Sequence, residues 1–192
     1  MTARLILICH ASTEATRCAR FPADEPLDDQ GRARALALTD HLQRAKLAWV
    51  SPELRARQTA EALGLDAIVT PELRDCDYGA WTGRCFDDVC AHDPDAVSTW
   101  LRDPQAAPHG GESTSKLIQR VATWLDRQNG MADRMIVVTH AAIVRAAIVH
   151  SIGALPRSFW RIDIAPLFLT RLSGNSGRWN LQYVGPIQSE QV

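Results

Sequence analysis

The stretch LILICHASTEATR, residues 5–17, decides how this chain is read. Leu5 to Cys9 form an apolar run with no polar alternation, the signature of a strand covered on both faces. The run stops at His10 and passes directly into small and hydroxyl residues. A second stretch, MIVVTH at 135–140, has the same shape. Ligands of open parallel sheets bind outside the carboxyl ends of the strands. If the two strands are neighbours, His10 and His140 face one another at that crevice. A single histidine in this place would more simply end a strand and hydrogen-bond locally; the repeated context points to a site.

Working outward, RLILI (4–8), LAWV (47–50) and MIVVT (135–139) are short buried-type strands, and helical patterns lie between them. Ala35, Leu38, Leu42 and Ala45 fall on one stripe, so the spacing predicts a helix over 29–45 with Asp28 as its N-cap. LRARQTAEALG (54–64) predicts a helix ending at Gly64. A helix over 113–128 is capped by Ser113 and stopped by Asn129-Gly130, and a largely apolar helix over 141–153 stops at Gly153. Strands alternating with helices predict an α/β fold, a three-layer α/β/α sandwich around a mainly parallel sheet. The tail from 159 reads as extended segments around a Gly-Asn-Ser-Gly turn, an antiparallel edge hairpin. The proline- and glycine-rich region 76–112 is the least regular, and reads as a small lid or insertion within one domain spanning 1–192.

The chain of 192 residues, 46% hydrophobic and 22% charged, has an ordinary globular composition. A net charge of -1 supplies no field for nucleic acid or an anionic membrane surface. No segment approaches the roughly 20 apolar residues of a membrane helix, and the N-terminal run is short for a signal peptide. The expectation is a cytoplasmic protein. The five cysteines show no paired spacing, so no disulfide framework is expected. Cys85, Cys90 and His92 lack a second cluster that would complete a tetrahedral site, so no metal is expected.

Six segments together resemble the histidine phosphatase superfamily, the fold shared by phosphoglycerate mutases and many phosphomonoesterases. They are CHAST (9–13), LDDQGRARA (27–35), SPELRARQTA (51–60), LRDCDYGAWTG (73–83), GGES (110–113) and VVTHAAIVR (137–145). The order matches, and the segments cover most of the chain to about residue 155. The resemblance implies a phosphoglycerate mutase-like fold and a phosphohistidine route, with His10 as the nucleophile. It also implies that Arg55 and His140 bind the phosphoryl group and that Asp75 serves as the acid for the leaving oxygen. Asp75 is one methylene shorter than the family's glutamate, and Asp77 is the fallback. Glu112 falls at the rim of the phosphate pocket. No cofactor is implied. The short gap before GGES, with Thr16 where mutases carry Asn, favours a phosphomonoesterase over a mutase. The expected partner is a small-molecule phosphomonoester, and the edge hairpin could pair subunits into a homodimer.

One departure matters. Cys9 stands where the family keeps its first phosphate arginine, and a thiol cannot make a bidentate, permanently charged contact. Ala11 and the pair Ala141-Ala142 also replace motif glycines. Three readings stay open. Another cation could substitute, from Arg17, Arg20 or Arg84, with Arg17 placed in the expected binding set. The pocket could accept a different substrate. Or the protein could be a weakened relative that binds a phosphorylated ligand or protein partner. Cys9 itself does not fit a cysteine phosphatase, because the Cys-x5-Arg position is Ala15.

Overall fold

The computed structural model describes residues 3–42, 45–131 and 134–187. Six strands form one sheet in the order β3-β2-β4-β1-β5-β6. These are β1 (Ala3–Cys9), β2 (Leu47–Val50), β3 (Ile68–Val69), β4 (Met135–Thr139), β5 (Phe168–Asn175) and β6 (Arg178–Pro186). The first four are parallel; β5 runs antiparallel to β1, and β6 antiparallel to β5. The expected mainly parallel sheet with an antiparallel C-terminal edge hairpin is therefore present. Ser176 and Gly177, both at positive φ, turn the hairpin.

The helices are α1 (Glu14–Arg17), α2 (Asp29–Leu36), α3 (Leu54–Ala62), α4 (Phe86–His92), α5 (Pro94–Arg102), α6 (Thr114–Gln128) and α7 (Ala141–Ser151). The pleat divides β1 between two cores. Leu5, Leu7 and Cys9 pack in the layer of α6 and α7 with Trp124 and Ile143, whereas Ile6 and Ile8 pack with Ala56, Ala60 and Leu63 on the α3 side. Burial on both faces explains the unbroken apolar run. It also places Cys9 in the hydrophobic interior, 2% exposed.

Two expectations need correction. The helix starting at Asp28 ends at Leu36 instead of running to 45, and a 3-10 turn follows at Thr39–His41. The Thr39 hydroxyl donates to the carbonyls of Leu36 and Ala62, satisfying the helix end and tying it to α3. Residues 43 and 44 of that stretch lie outside the described residues. Region 76–112 is more regular than its composition suggests, since it carries α4 and α5. Pro94 starts α5 instead of breaking structure, with Asp93 accepting from the Ala96 N–H at 3.0 Å.

Gly31, in the LDDQG segment, shows why that motif has a glycine. A Cβ there would lie 2.4 Å from the Ser12 carbonyl oxygen, so only glycine lets α2 press against the loop that follows His10. The Ser12 hydroxyl and the Gly31 N–H both donate to Asp28 Oδ1, fixing that approach.

Candidate active site

Strand register builds the centre. Cys9 pairs with Thr139 across β1 and β4, so the next residues, His10 and His140, leave the sheet side by side. The His10 N–H donates to Thr139 O at 2.8 Å, and the two imidazoles meet edge-on with centroids 5.2 Å apart. Both are buried, at 5% and 1% exposure. Thr59 on α3 accepts from the Ala11 N–H at 3.0 Å and so holds the turn after His10.

His10 Nδ1 lies 2.7 Å from its neighbour's carbonyl, Ala11 O. A carbonyl can only accept, so Nδ1 carries the hydrogen and Nε2 keeps its lone pair. Burial, then the charges of His140 and Arg55, push the His10 pKa down to about 3. The ring is therefore neutral across the physiological range, in the form a nucleophile requires.

His140 is fixed from the opposite side. Its Nε2 lies 2.9 Å from Glu53 Oε2 and 2.7 Å from Ser51 Oγ, whose hydroxyl itself donates to Glu53. Burial would raise the Glu53 pKa, but the His140 hydrogen bond and charge and the Ser51 bond outweigh it, and Glu53 falls to about 2. The other nitrogen of His140, Nδ1, is 3.5 Å from Asp75 Oδ2 and has no hydrogen-bond partner.

Arg55, 1% exposed, donates from Nη2 to Asp75 Oδ2 at 2.7 Å and from Nη1 to the Ala23 carbonyl, with Glu25 at 3.8 Å. Its Nε is buried without a partner. Burial would push Asp75 up, but His140, Arg55 and the Cys76 N–H bring its pKa below the usual carboxylate value. Two buried polar atoms of this cluster, Arg55 Nε and His140 Nδ1, thus have no hydrogen-bond partner among the described residues. Buried polar atoms are nearly always paired, so Arg55 Nε, a fixed donor on a permanent cation, suits an anionic oxygen.

The segment bearing Asp75 is clamped by Arg120, whose guanidinium reaches the carbonyls of Glu72, Arg74 and Asp75 and binds Glu112 through two nitrogens, at 2.9 and 2.6 Å. Thr139 Oγ1 donates to Leu73 O, joining this segment to the end of β4.

With that geometry in hand, the comparison with known families is decisive. The model of the histidine phosphatase superfamily (branch 1) matches residues 5–185. The chain belongs to that superfamily. It is 32% identical over 179 residues to a bifunctional protein of Mycobacterium tuberculosis, covering 85% of this chain and 49% of that one. The chain thus spans about half the length of that relative. It is also 32% identical over 176 residues to the glucosyl-3-phosphoglycerate phosphatase of Mycolicibacterium vanbaalenii, covering 83% of this chain and 78% of the other. Among solved structures, mycobacterial glucosyl-3-phosphoglycerate phosphatase complexed with VO3 superposes with a TM-score of 0.86 at 27% identity, over 96% of this chain and 99% of that one.

Within this superfamily member, the structure gathers His10, Arg55, Asp75 and His140 at one place. Two residues of the expected set are engaged elsewhere. Arg17 is 58% exposed and pairs with Asp28 at 3.1 Å. Glu112 is taken up by Arg120. Of the other cations considered for that arginine place, Arg20 lines an aromatic cavity whose walls include none of His10, Arg55, Asp75 and His140. Cys9 is a packing residue whose thiol is pushed up to about 12, chiefly by burial. Asp77 turns away, accepting from the Gly79 N–H. Cys85 and His92 bond to the carbonyls of Cys18 and Asp88, and no group of three metal-binding side chains occurs among the described residues. No helix among them is long and apolar enough to cross a membrane.

Glu53 and Arg120 were not legible in the sequence. Glu53 sits at the N-cap position of α3 yet makes no cap, and its side chain crosses to a histidine 87 residues away. Arg120 reads as one polar residue on an amphipathic helix.

The His10 and Glu53 shifts carry a stability signature. Unfolded His10 takes a proton near 6.5 and folded His10 only near 3, so the unfolded state binds more protons between these values and stability falls as the pH drops through that window. Glu53 adds a loss below its ordinary value of 4.5, continuing towards 2. Denaturant melts across pH 7 to 4 should show this decline. In His10→Gln the slope between pH 6 and 4.5 should be shallower by up to about 1.4 kcal/mol per pH unit. An unchanged slope would mean that His10 is not held neutral.

Proposed function

We propose that this protein is a phosphomonoesterase that hydrolyses a small-molecule phosphate ester through a phosphohistidine on His10. The observation that carries this reading is the His10 tautomer. The Nδ1–H is spent on Ala11 O, which leaves the Nε2 lone pair free, with the His140 ring alongside and a buried, unpartnered Arg55 Nε in the same cluster. Phosphoryl transfer needs mostly positioning and charge stabilisation, and this centre supplies both. Nε2 attacks phosphorus, an N–P bond forms, and the ester P–O bond breaks. Arg55 and His140 hold the phosphoryl oxygens. Asp75 supplies the leaving alkoxide's proton.

At rest Asp75 is ionised and bound to Arg55. An arriving phosphate dianion competes for Arg55 and brings negative charge beside Asp75, and both effects raise the carboxylate's affinity for a proton. Water then attacks the phosphohistidine, the N–P bond breaks, and inorganic phosphate and neutral His10 are regenerated. Asp75 takes the water's proton. The segment 76–112 forms one wall of the substrate site. The five free cysteines support a reducing, cytoplasmic setting.

A second reading has its own observation. Cys9 leaves the family's arginine place apolar, and two Arg55 nitrogens are already taken. That arrangement favours a weakened enzyme that binds a phosphorylated ligand. Trapping separates the two. After rapid mixing with a phosphomonoester and an alkaline quench, mass spectrometry should find one phosphoryl group on the His10 peptide, lost on acidification. An ester consumed without that adduct, or never consumed while still bound, would overturn the phosphohistidine route.

A further inference from the structure

A cavity of about 500 Å³, within the range of small-molecule sites, lies outside the histidine cluster. Its walls are aromatic, from Phe21, Tyr78, Phe86, Trp100 and Trp160. Trp100 and Trp160 meet at 4.3 Å between centroids, and Phe21 lies 5.2 Å from Tyr78 and 5.7 Å from Trp100. Such walls take a flat ring by offset or edge contacts.

Two arginines, Arg20 and Arg145, complete the lining. Arg145 is anchored by donation from Nε to Ile162 O at 2.8 Å, and its charge reaches both the Cys9 thiol and the Tyr78 hydroxyl. Phe21 and Pro22 of the lining run directly into Ala23, whose carbonyl accepts from Arg55, so the cavity adjoins the reacting groups along that edge. Arg20 is different. It is exposed, and its guanidinium has no hydrogen bond or ion pair with any described residue. Its place is fixed by the backbone: Ala19 is held at φ +48, and Arg20 bridges to Cys85 in the 76–112 segment. A non-glycine residue in that region is strained, and such strain clusters where a ligand is held.

Resting on the phosphatase reading, we infer that this cavity binds the alcohol portion of the substrate, and that this portion is an aromatic ring bearing a carboxylate away from the ester oxygen. The ring lies against the partly exposed Tyr78, Phe86 and Trp160, backed by the buried Phe21 and Trp100, and the free Arg20 fork takes the carboxylate.

The test uses 6-hydroxy-2-naphthoate and neutral 2-naphthol as phosphate-free probes, titrated calorimetrically into the intact protein. The carboxylate probe should bind at least about tenfold more tightly, as charge-assisted hydrogen bonds to an arginine allow. Arg20→Met should abolish that preference, and Trp160→Ala should weaken both probes. The same ratio should appear in kcat/KM for the matching naphthyl phosphates. Equal binding of the two probes, or a preference that survives Arg20→Met, would overturn the assignment. Carboxylate-selective binding with no phosphate released from either ester would sustain the cavity and sink the phosphatase reading alone.

Discussion

His10→Ala should lose phosphate release from every phosphomonoester that the wild type hydrolyses, by at least about 10⁴-fold in kcat. Removing the nucleophile of a covalent mechanism abolishes the route instead of slowing it, and losses on the order of 10⁶ are known for such substitutions. The substitution is structurally mild. His10 ends a strand, and its side-chain hydrogen bond is to its own neighbour, Ala11. Folding should therefore survive, and circular dichroism with a denaturant melt would confirm it. The assay is initial-rate phosphate release over a panel of phosphomonoesters without added metal. Retained activity in folded His10→Ala would eliminate His10 as the nucleophile. The pH profile adds a second constraint. Because His10 is held neutral down to about 3, kcat/KM should show no acid limb near 6.5 from this ring.

Arg55→Met should be nearly as severe for activity and more so for stability. Its guanidinium is the only arginine head group placed among His140, Asp75 and Glu25 in the described residues. Loss of one preorganised donor to developing charge costs ~10²–10³ in kcat. The same change strands Asp75, 10% exposed, and breaking a buried pair from one side costs about 3–5 kcal/mol. The double variant Arg55→Met/Asp75→Asn should recover much of that stability, since no buried charge is left unpaired, while activity stays lost. Recovery of activity along with stability would show that Arg55 holds the fold and takes no part in phosphate binding.

Much of this was legible in the residues. The apolar runs of β1 and β4 announced strands buried on both sides, and their shared ending on histidine brought the two imidazoles together at the sheet's carboxyl edge. Asp28, Ser113, Gly64 and Gly153 marked helix ends correctly, because caps and left-handed glycines act within a few residues. The same local logic misjudged α2. Its apolar stripe continued past Leu36, but the chain there serves a tertiary demand, the Thr39 bond to the end of α3. Region 76–112 looks irregular from its prolines and glycines, yet Pro94 starts α5; a proline that starts a helix and one that ends it look alike without the N-cap geometry.

The chain's own sequence determined the sheet, the two histidines and the family, since each depends on periodicity, short motifs or their order. Tertiary structure alone decided how charge is distributed around those histidines. Glu53 on His140, Arg55 on Asp75, Arg120 on the backbone of the Asp75 segment and Arg17 drawn off to Asp28 are all contacts of side chains with residues distant in sequence. Coulomb energy and desolvation depend on separations of a few ångströms and on burial. Both exist only once the layers have packed.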